Sequence, residues 1–166
     1  MTANLGSRIA GQVIDRITAP NGVNSSLADL ALGSGLTLAP VDRSQVNARN
    51  VAADLAERTT GVKYPSVNVY CEKLVNNQSE KFRRFSGYAG MAVEVRHSQD
   101  HVAGLQDALE LYADSVMQVL DAARGDWGNG LFYLGGYEMA LSAVKQGGRS
   151  FIQSAKITFQ IGVSRN

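Results

Sequence analysis

Read residue by residue, the chain points to an α+β domain. The expectation is an antiparallel sheet of four to five strands with a long helix packed on one face, a projecting C-terminal β-hairpin and an N-terminal helix-and-loop extension. Three features carry it. Val102, Leu105, Leu109, Tyr112, Val116, Val119 and Ala123 recur at three- and four-residue steps, which is the spacing of an apolar helical stripe. Val67, Val69 and Cys71 alternate with polar neighbours, as do Met91, Val93 and Val95, the pattern of half-buried strands. Finally, AKITFQIGV puts Ala155, Ile157, Phe159, Ile161 and Val163 on one side of a run that follows the pair Gly147-Gly148. Two such residues between strand-like runs signal a hairpin.

Taken in order, residues 5–17 read as a short helix, with Leu5, Ile9, Val13 and Ile17 four apart. The stretch from Thr18 to Val41 has one charged side chain, Asp29, and several glycines, prolines and leucines. Connections of this length serve a partner or stay mobile, so it reads either as a loop with one helical turn capping the core or as an arm that orders against a neighbour. Residues 1–43 are thus an extension, and residues 44–166 the α+β domain. SQVNARNVAADLAER, residues 44–58, reads as a second helix, with Gly61 as its stop. Strands follow at 67–71 and at about 82–96, where Gly87 and Gly90 mark a bulge or bend. The long helix takes Ser98 as N-cap and Asp100 in its first turn, and ends at Arg124 and Gly125. In the terminal hairpin, Gln146 is set against Arg149 and Val144 against Phe151, with arms of ten residues or more. The sheet face away from the helices is expected to meet water through Glu94, Arg96, Lys156, Thr158 and Gln160.

A chain of 166 residues is long enough to bury a core as one domain. Sixteen Lys and Arg against fifteen Asp and Glu give a net charge of +1, so no overall field draws it to nucleic acid or membrane. The single cysteine, Cys71, leaves no internal disulfide and no thiolate cage for zinc. The amino terminus does not read as a signal peptide, and no apolar run approaches the ~20 residues that cross a bilayer. The expectation is a soluble protein.

Catalytic, cofactor and metal sites are not expected. Glu94, His97 and His101 fall on a strand, a junction and a helical turn, a spacing that matches no ligand set on one face. Cys71, among Val67 and Val69, reads as a small buried hydrophobe. GDWGNG follows a helix and precedes a strand, the reverse of a phosphate-cradling order; its Trp127 is a core anchor or a partner anchor, the core being favoured. The cluster Lys81, Arg83 and Arg84, interleaved with Phe82 and Phe85, either keeps a sheet rim in water or faces phosphates.

In element order and size, the stretches YPSVNVYCE, GYAGMAVEVRHS, HVAGLQDALELYADSVMQVL and AKITFQIGV resemble the tail-terminator and tail-completion (head–tail joining) proteins of tailed bacteriophages. The resemblance covers roughly residues 45–163. It implies a structural virion protein, assembled in the host bacterial cytoplasm, without enzymatic activity or cofactor. Such proteins form homo-oligomeric rings, commonly hexamers, that cap the head-proximal end of the tail tube and stop its growth. They present a surface to the head connector while DNA passes through the lumen without sequence specificity. The implied partners are therefore other copies of the chain, the tail tube protein, a sheath protein where the tail has one, and the neck proteins, with no membrane. On this reading, Met139, Leu141, Ala143 and Lys145, together with Ile157, Phe159, Ile161 and Val163, build the subunit contact, and Lys81, Arg83 and Arg84 face the lumen. Two alternatives stand beside it. One is a neck or head-completion protein binding the portal or adaptor ring. The other, of a different class, is a small-ligand-binding α+β domain with its pocket under residues 18–41.

Overall fold

The computed structural model of the protein describes residues 3–58, 62–147 and 149–166. Its helices are α1 (Leu5–Ile17), α2 (Val23–Ser34), the short α3 (Ala53–Glu57) and α4 (Leu105–Ala122). Its strands are β1 (Val46–Asn47), β2 (Ser66–Asn76), β3 (Phe85–Gln99), β4 (Gly125–Gly128), β5 (Leu131–Tyr133), β6 (Glu138–Leu141), β7 (Lys145–Gly147) and β8 (Ser150–Arg165). The architecture is α+β, as the sequence pattern indicates, but the sheet has eight strands among the described residues rather than four or five.

The strand order is β1-β2-β3-β8-β5-β4, and β6 and β7 also pair with β8. All neighbours are antiparallel except β1 and β2. The centre is the pairing of β3 with β8, which runs without a break from Phe85 opposite Arg165 to Gln99 opposite Phe151. Because strand side chains alternate between faces, the odd-numbered residues Met91, Val93, Val95, Ile157, Phe159 and Ile161 share one face, and all are buried. Against them lies the stripe of α4, of which Leu105, Leu109, Tyr112, Val116, Val119 and Leu120 are buried. α1 packs on β2, and α2 packs on α4.

Residues 18–41 are not one long loop. Val23 and Leu27, four apart, are the buried positions of a three-turn helix that ends at Gly35 in the left-handed conformation. The Asn24 side chain then pins the returning chain: its Nδ2 donates to the Val41 carbonyl (2.9 Å) and its Oδ1 accepts from the Val41 amide (2.7 Å). Val23, Leu27 and Val41 belong to the same core as the sheet, as do Leu5, Ile9, Val13 and Ile17 of α1.

Nor is 44–58 a single helix. Asp42 caps one 3-10 turn, Arg43–Gln45, by accepting from the Ser44 amide while the Gln45 side chain accepts from the Asp42 amide. β1 follows, and only Ala53–Glu57 is α-helical. Val46 and Asn47 are poor helix formers, and pairing with Val67 and Asn68 settles them as a strand. Gly61, expected as the stop, lies outside the described residues.

The long helix starts six residues later than its sequence signals suggest. Ser98 is not its N-cap: Ser98 and Gln99 remain in β3 because Ile152 and Phe151 pair with them. Gly104 takes the N-cap position at φ +77, Asp107 rather than Asp100 lies in the first turn, and Val102 stays outside the helix, half exposed. At the other end, GDWGNG is a strand leading into the Asn129-Gly130 turn. Both turn residues have positive φ, as a two-residue hairpin turn requires.

The terminal hairpin does not project. β8 is flanked by β3 along its length and by β7, β6 and β5 in succession on its other side. Its register also differs from expectation, with Gln146 opposite Phe151 and Gly147 opposite Ser150; Gly148 lies outside the described residues. The bulge expected in β3 is carried instead by β2, between Cys71 and Lys73.

Gly87 is required by a close approach: a Cβ there would sit 1.9 Å from the Val75 carbonyl oxygen. Gly11, inside α1, has nothing within 4 Å of such an atom. Gly87→Ala should therefore lower unfolding stability by about 1–3 kcal/mol through overpacking, while Gly11→Ala should raise it by about 0.5–1 kcal/mol. Urea denaturation of the two variants measures both; equal effects would contradict the packing described.

Candidate assembly surface

β3 covers one side of β2 along the strand, but β1 covers the other side only at Val67 and Asn68. From Val69 to Asn76 no strand lies on that outer side among the described residues. At ~3.3 Å per residue this is about 26 Å of open edge. The reason lies in the residues after β1. Arg49 Nε donates to Asn68 Oδ1 at 3.2 Å, and the Val51 carbonyl accepts from Arg96 Nη2. The chain is drawn across the face of the sheet instead of continuing along its edge.

Arg96 is only 3% exposed, and its Nε and Nη2 both donate to Glu94 Oε1, at 3.2 and 3.1 Å. The outer face is thus less wet than the alternation suggests: Arg96 lies beneath the 49–51 crossing. Lys156, by contrast, stays partly exposed and pairs with Glu72, and Tyr70 donates to Glu94 at 3.4 Å.

Where the chain leaves the β2 edge, a groove of about 630 Å³ opens. Leu5, Ala10, Leu74 and Phe85 supply apolar wall, and Arg49, Lys73, Arg84 and Arg165 supply cationic groups. α1 approaches closely here, since a Cβ on Gly6 would lie 2.8 Å from the Cβ of Cys71. Cys71 is half-buried in this groove rather than sealed in the core. Burial pushes its thiol pKa above the usual value, and its Sγ donates to the Lys73 carbonyl at 3.3 Å. It is protonated at neutral pH and therefore a poor nucleophile.

The structure separates the residues expected at a subunit contact. Ile157, Phe159, Ile161 and Val163 are buried inside the chain, facing the helices from an interior strand. Their alternation marks the core face of β8, and they are corrected from contact residues to core residues. Met139 and Leu141, on β6, are half-buried against the same core, and Ala143 and Lys145 are exposed. Among the described residues β6 pairs with β8 alone, so its far side is a second edge without a partner strand. The basic cluster lies in the connection from β2 to β3. Lys81 is exposed, Arg83 pairs with Glu80 at 3.3 Å and donates to Asn166, and Arg84 lines the groove.

The remaining candidates are placed as follows. Trp127 is a core residue: its indole Nε1 donates to the Ala123 carbonyl at 2.7 Å, and its ring lies 5.9 Å from Tyr133. His101 is exposed and pairs with Asp100, whereas the His97 ring packs at 5.3 Å on Tyr112. Among the described residues, no three His, Cys, Asp or Glu side chains converge as a metal site would need. No helix among them is long and apolar enough to cross a membrane. The pocket expected under residues 18–41 is not where the large groove lies; that groove runs along β2. Leu74, 45% exposed, stands on its wall, and no local pattern in the sequence brings it together with Leu5, Arg49 and Arg165. Compared with known proteins, the chain matches no family model and no curated protein.

Burial holds the His97 pKa below its ordinary 6.5. The folded state therefore keeps the ring neutral where the unfolded chain binds a proton, so this contribution to stability is present above that value and declines as pH falls through it. Melting temperature should fall between about pH 7.5 and about pH 5.5, and less steeply in His97→Phe. An identical slope in that variant would show that the loss comes from elsewhere.

Proposed function

We propose that the chain is a structural virion protein. Copies of it join into a closed ring that caps the head-proximal end of a phage tail tube, ends the tube's growth and offers a surface to the head connector. The observation that supports this reading best is the pair of unlike open edges. Among the described residues, no strand pairs with β2 from Val69 onward on one side of the sheet, and none pairs with the far side of β6 on the other. Open strand edges template pairing with another chain, and two different surfaces meeting head to tail generate a ring when the rotation closes. Paired strands, a long helix, a glycine turn and a terminal hairpin follow one another in the chain, which supports the resemblance to tail-terminator proteins, while the stretch 44–58, expected as one helix, does not. Six copies is the number that resemblance implies.

This reading moves the subunit contact away from β8, whose two sides are already taken, to the β2 edge and to Met139, Leu141, Ala143 and Lys145. Lys81 and Arg83 lie in the connection after β2, and this reading has them face the lumen, with Arg84 in the groove beside them. Light scattering on the purified chain should report a single closed oligomer, and electron micrographs of its mixture with tail tubes should show one ring at one tube end. A monomer at every concentration, together with bare tubes, would contradict the proposal. Rings seated on portal complexes instead of tubes would move the protein one layer toward the capsid.

A further inference from the structure

We infer that β6 of one copy pairs antiparallel with the open edge of β2 in the next, in the register that sets Glu138 opposite Lys73. The inference rests on the self-assembling reading above and specifies how its two edges meet. Strand polarity follows from the sheet. β2 is antiparallel to β3, β3 to β8, and β6 to β8, so β2 and β6 run in opposite directions within each copy. Copies that meet head to tail with their helix sides matched keep that relation across the junction.

The faces then fix the register. Glu138 and Ala140, opposite Thr158 and Lys156, lie on the outer face; Met139 and Leu141, opposite Ile157 and Ala155, lie on the helix side. In β2 the alternation is interrupted by the bulge between Cys71 and Lys73. Lys73 is thereby placed over Gly90 on the outer face, where a Cβ would come within 3.0 Å of its Cγ. Its Nζ is 5.9 Å from the centre of the Tyr88 ring. Leu74 returns to the helix side, opposite Ala89. With Glu138 opposite Lys73, Tyr137 meets Leu74 and Met139 meets Cys71, the bulged Glu72 being passed over. Outer residues then adjoin outer residues, and helix-side residues adjoin helix-side ones. A shift by one residue breaks that match, and a shift by two sets Glu138 against Val75 or Tyr70 instead of a cation.

Charge and apolar surface are both complementary. Glu138 and Lys73 are exposed, and neither forms an ion pair among the described residues. Glu138 is the only charged side chain from Leu134 to Val144, whereas the groove beside β2 is lined by Arg49, Lys73, Arg84 and Arg165 and by no acidic residue. On the helix side, Leu74 is 45% exposed and Cys71 half-buried at one margin. Tyr137, Met139 and Leu141 are half-buried at the other, so joining the margins covers both. The β6 margin is ordered beforehand: Tyr133 donates to the Gly136 carbonyl at 3.2 Å, and Tyr137 donates to Asp121 at 3.3 Å. Little ordering is therefore lost on docking.

Within one copy β3 and β8 separate the two charges, so a test by charge reversal reads the contact between copies. Lys73→Glu and Glu138→Lys, made separately in the full-length chain, should each weaken self-association about tenfold and leave the melting temperature of the dilute protein unchanged. Mixing the two variants should restore association to within about twofold of the native chain, because every junction of an alternating ring of six again joins opposite charges. Met139→Cys in the otherwise native chain sets a thiol opposite Cys71 of the next copy. Mild oxidation should then give a covalent ladder that passes beyond the dimer, which the native chain does not give. If light scattering shows an oligomer but the reversals change association by less than about twofold, or the mixture is no better than its components, the register is wrong and the ring reading survives. A native chain that dimerises through Cys71 would put β2 against β2 and overturn the inference in the same way. A monomer at every concentration overturns both. The charge reversals carry the test if Met139→Cys folds poorly.

Discussion

The pairing of β3 with β8 is the constraint on which the remainder of the structure depends. Phe85 to Gln99 is matched residue for residue against Phe151 to Arg165, with no bulge to change which side chains face the helices. A slip of either strand by one residue would turn its own apolar set, Met91 and Val93 or Ile157 and Phe159, to the opposite face, so the apolar alternation of both strands fixes one register. The helix α4 lies on the platform this creates, and the aromatic contact from Trp127 through Tyr133 to Phe159 closes it near the C-terminal end of that helix. Because both sides of β8 are occupied, every open edge is displaced to the margins of the sheet.

One of those margins is kept open by a polar contact. A buried guanidinium is costly unless its donors are met. Arg96 meets most of its own through Glu94 and the Val51 carbonyl. That last bond lifts the chain away from β2 immediately after β1, so the arrangement that partners Arg96 Nε and Nη2, while leaving its buried Nη1 without a partner, also leaves Val69 to Asn76 without a neighbouring strand among the described residues. The bulge between Cys71 and Lys73, and the charged side chain of Lys73, are the usual means of keeping such an edge from indiscriminate pairing. Selective pairing then has to come from a partner that fits the groove's apolar wall and its cationic rim.

Much of the scaffold was legible because it rests on local periodicity. The four-residue steps of Leu5, Ile9, Val13 and Ile17, the stripe from Leu105 to Val119, and the two-residue alternation in β8 survive in the folded chain, whereas the start of β2 and the middle of β3 are buried on both faces. The misreadings arise where tertiary pairing overrides a local signal. Ser98 has the chemistry of a helix cap, yet Ile152 holds it in a strand. Val46 and Asn47 sit inside a helix-like run, yet β2 recruits them. In α2 the stripe of Val23 and Leu27 was present but obscured by glycines and serines. The assembly surface was misplaced for a related reason: regular alternation in AKITFQIGV indicates a buried face, and whether neighbour or self buries it is a property of the whole sheet. The groove was not legible at all, since Leu5, Arg49, Leu74 and Arg165 meet only through the fold.

The account therefore makes β8 an interior strand of each copy and β2 the strand that copies share. Hydrogen–deuterium exchange, compared between the dilute monomer and the assembled protein, separates these roles directly. The account predicts that amides of β8 are protected in both states, and that amides between Val69 and Asn76 become protected only on assembly. Fast exchange in β8 of the monomer, or unchanged exchange along β2 in the assembled protein, would contradict it.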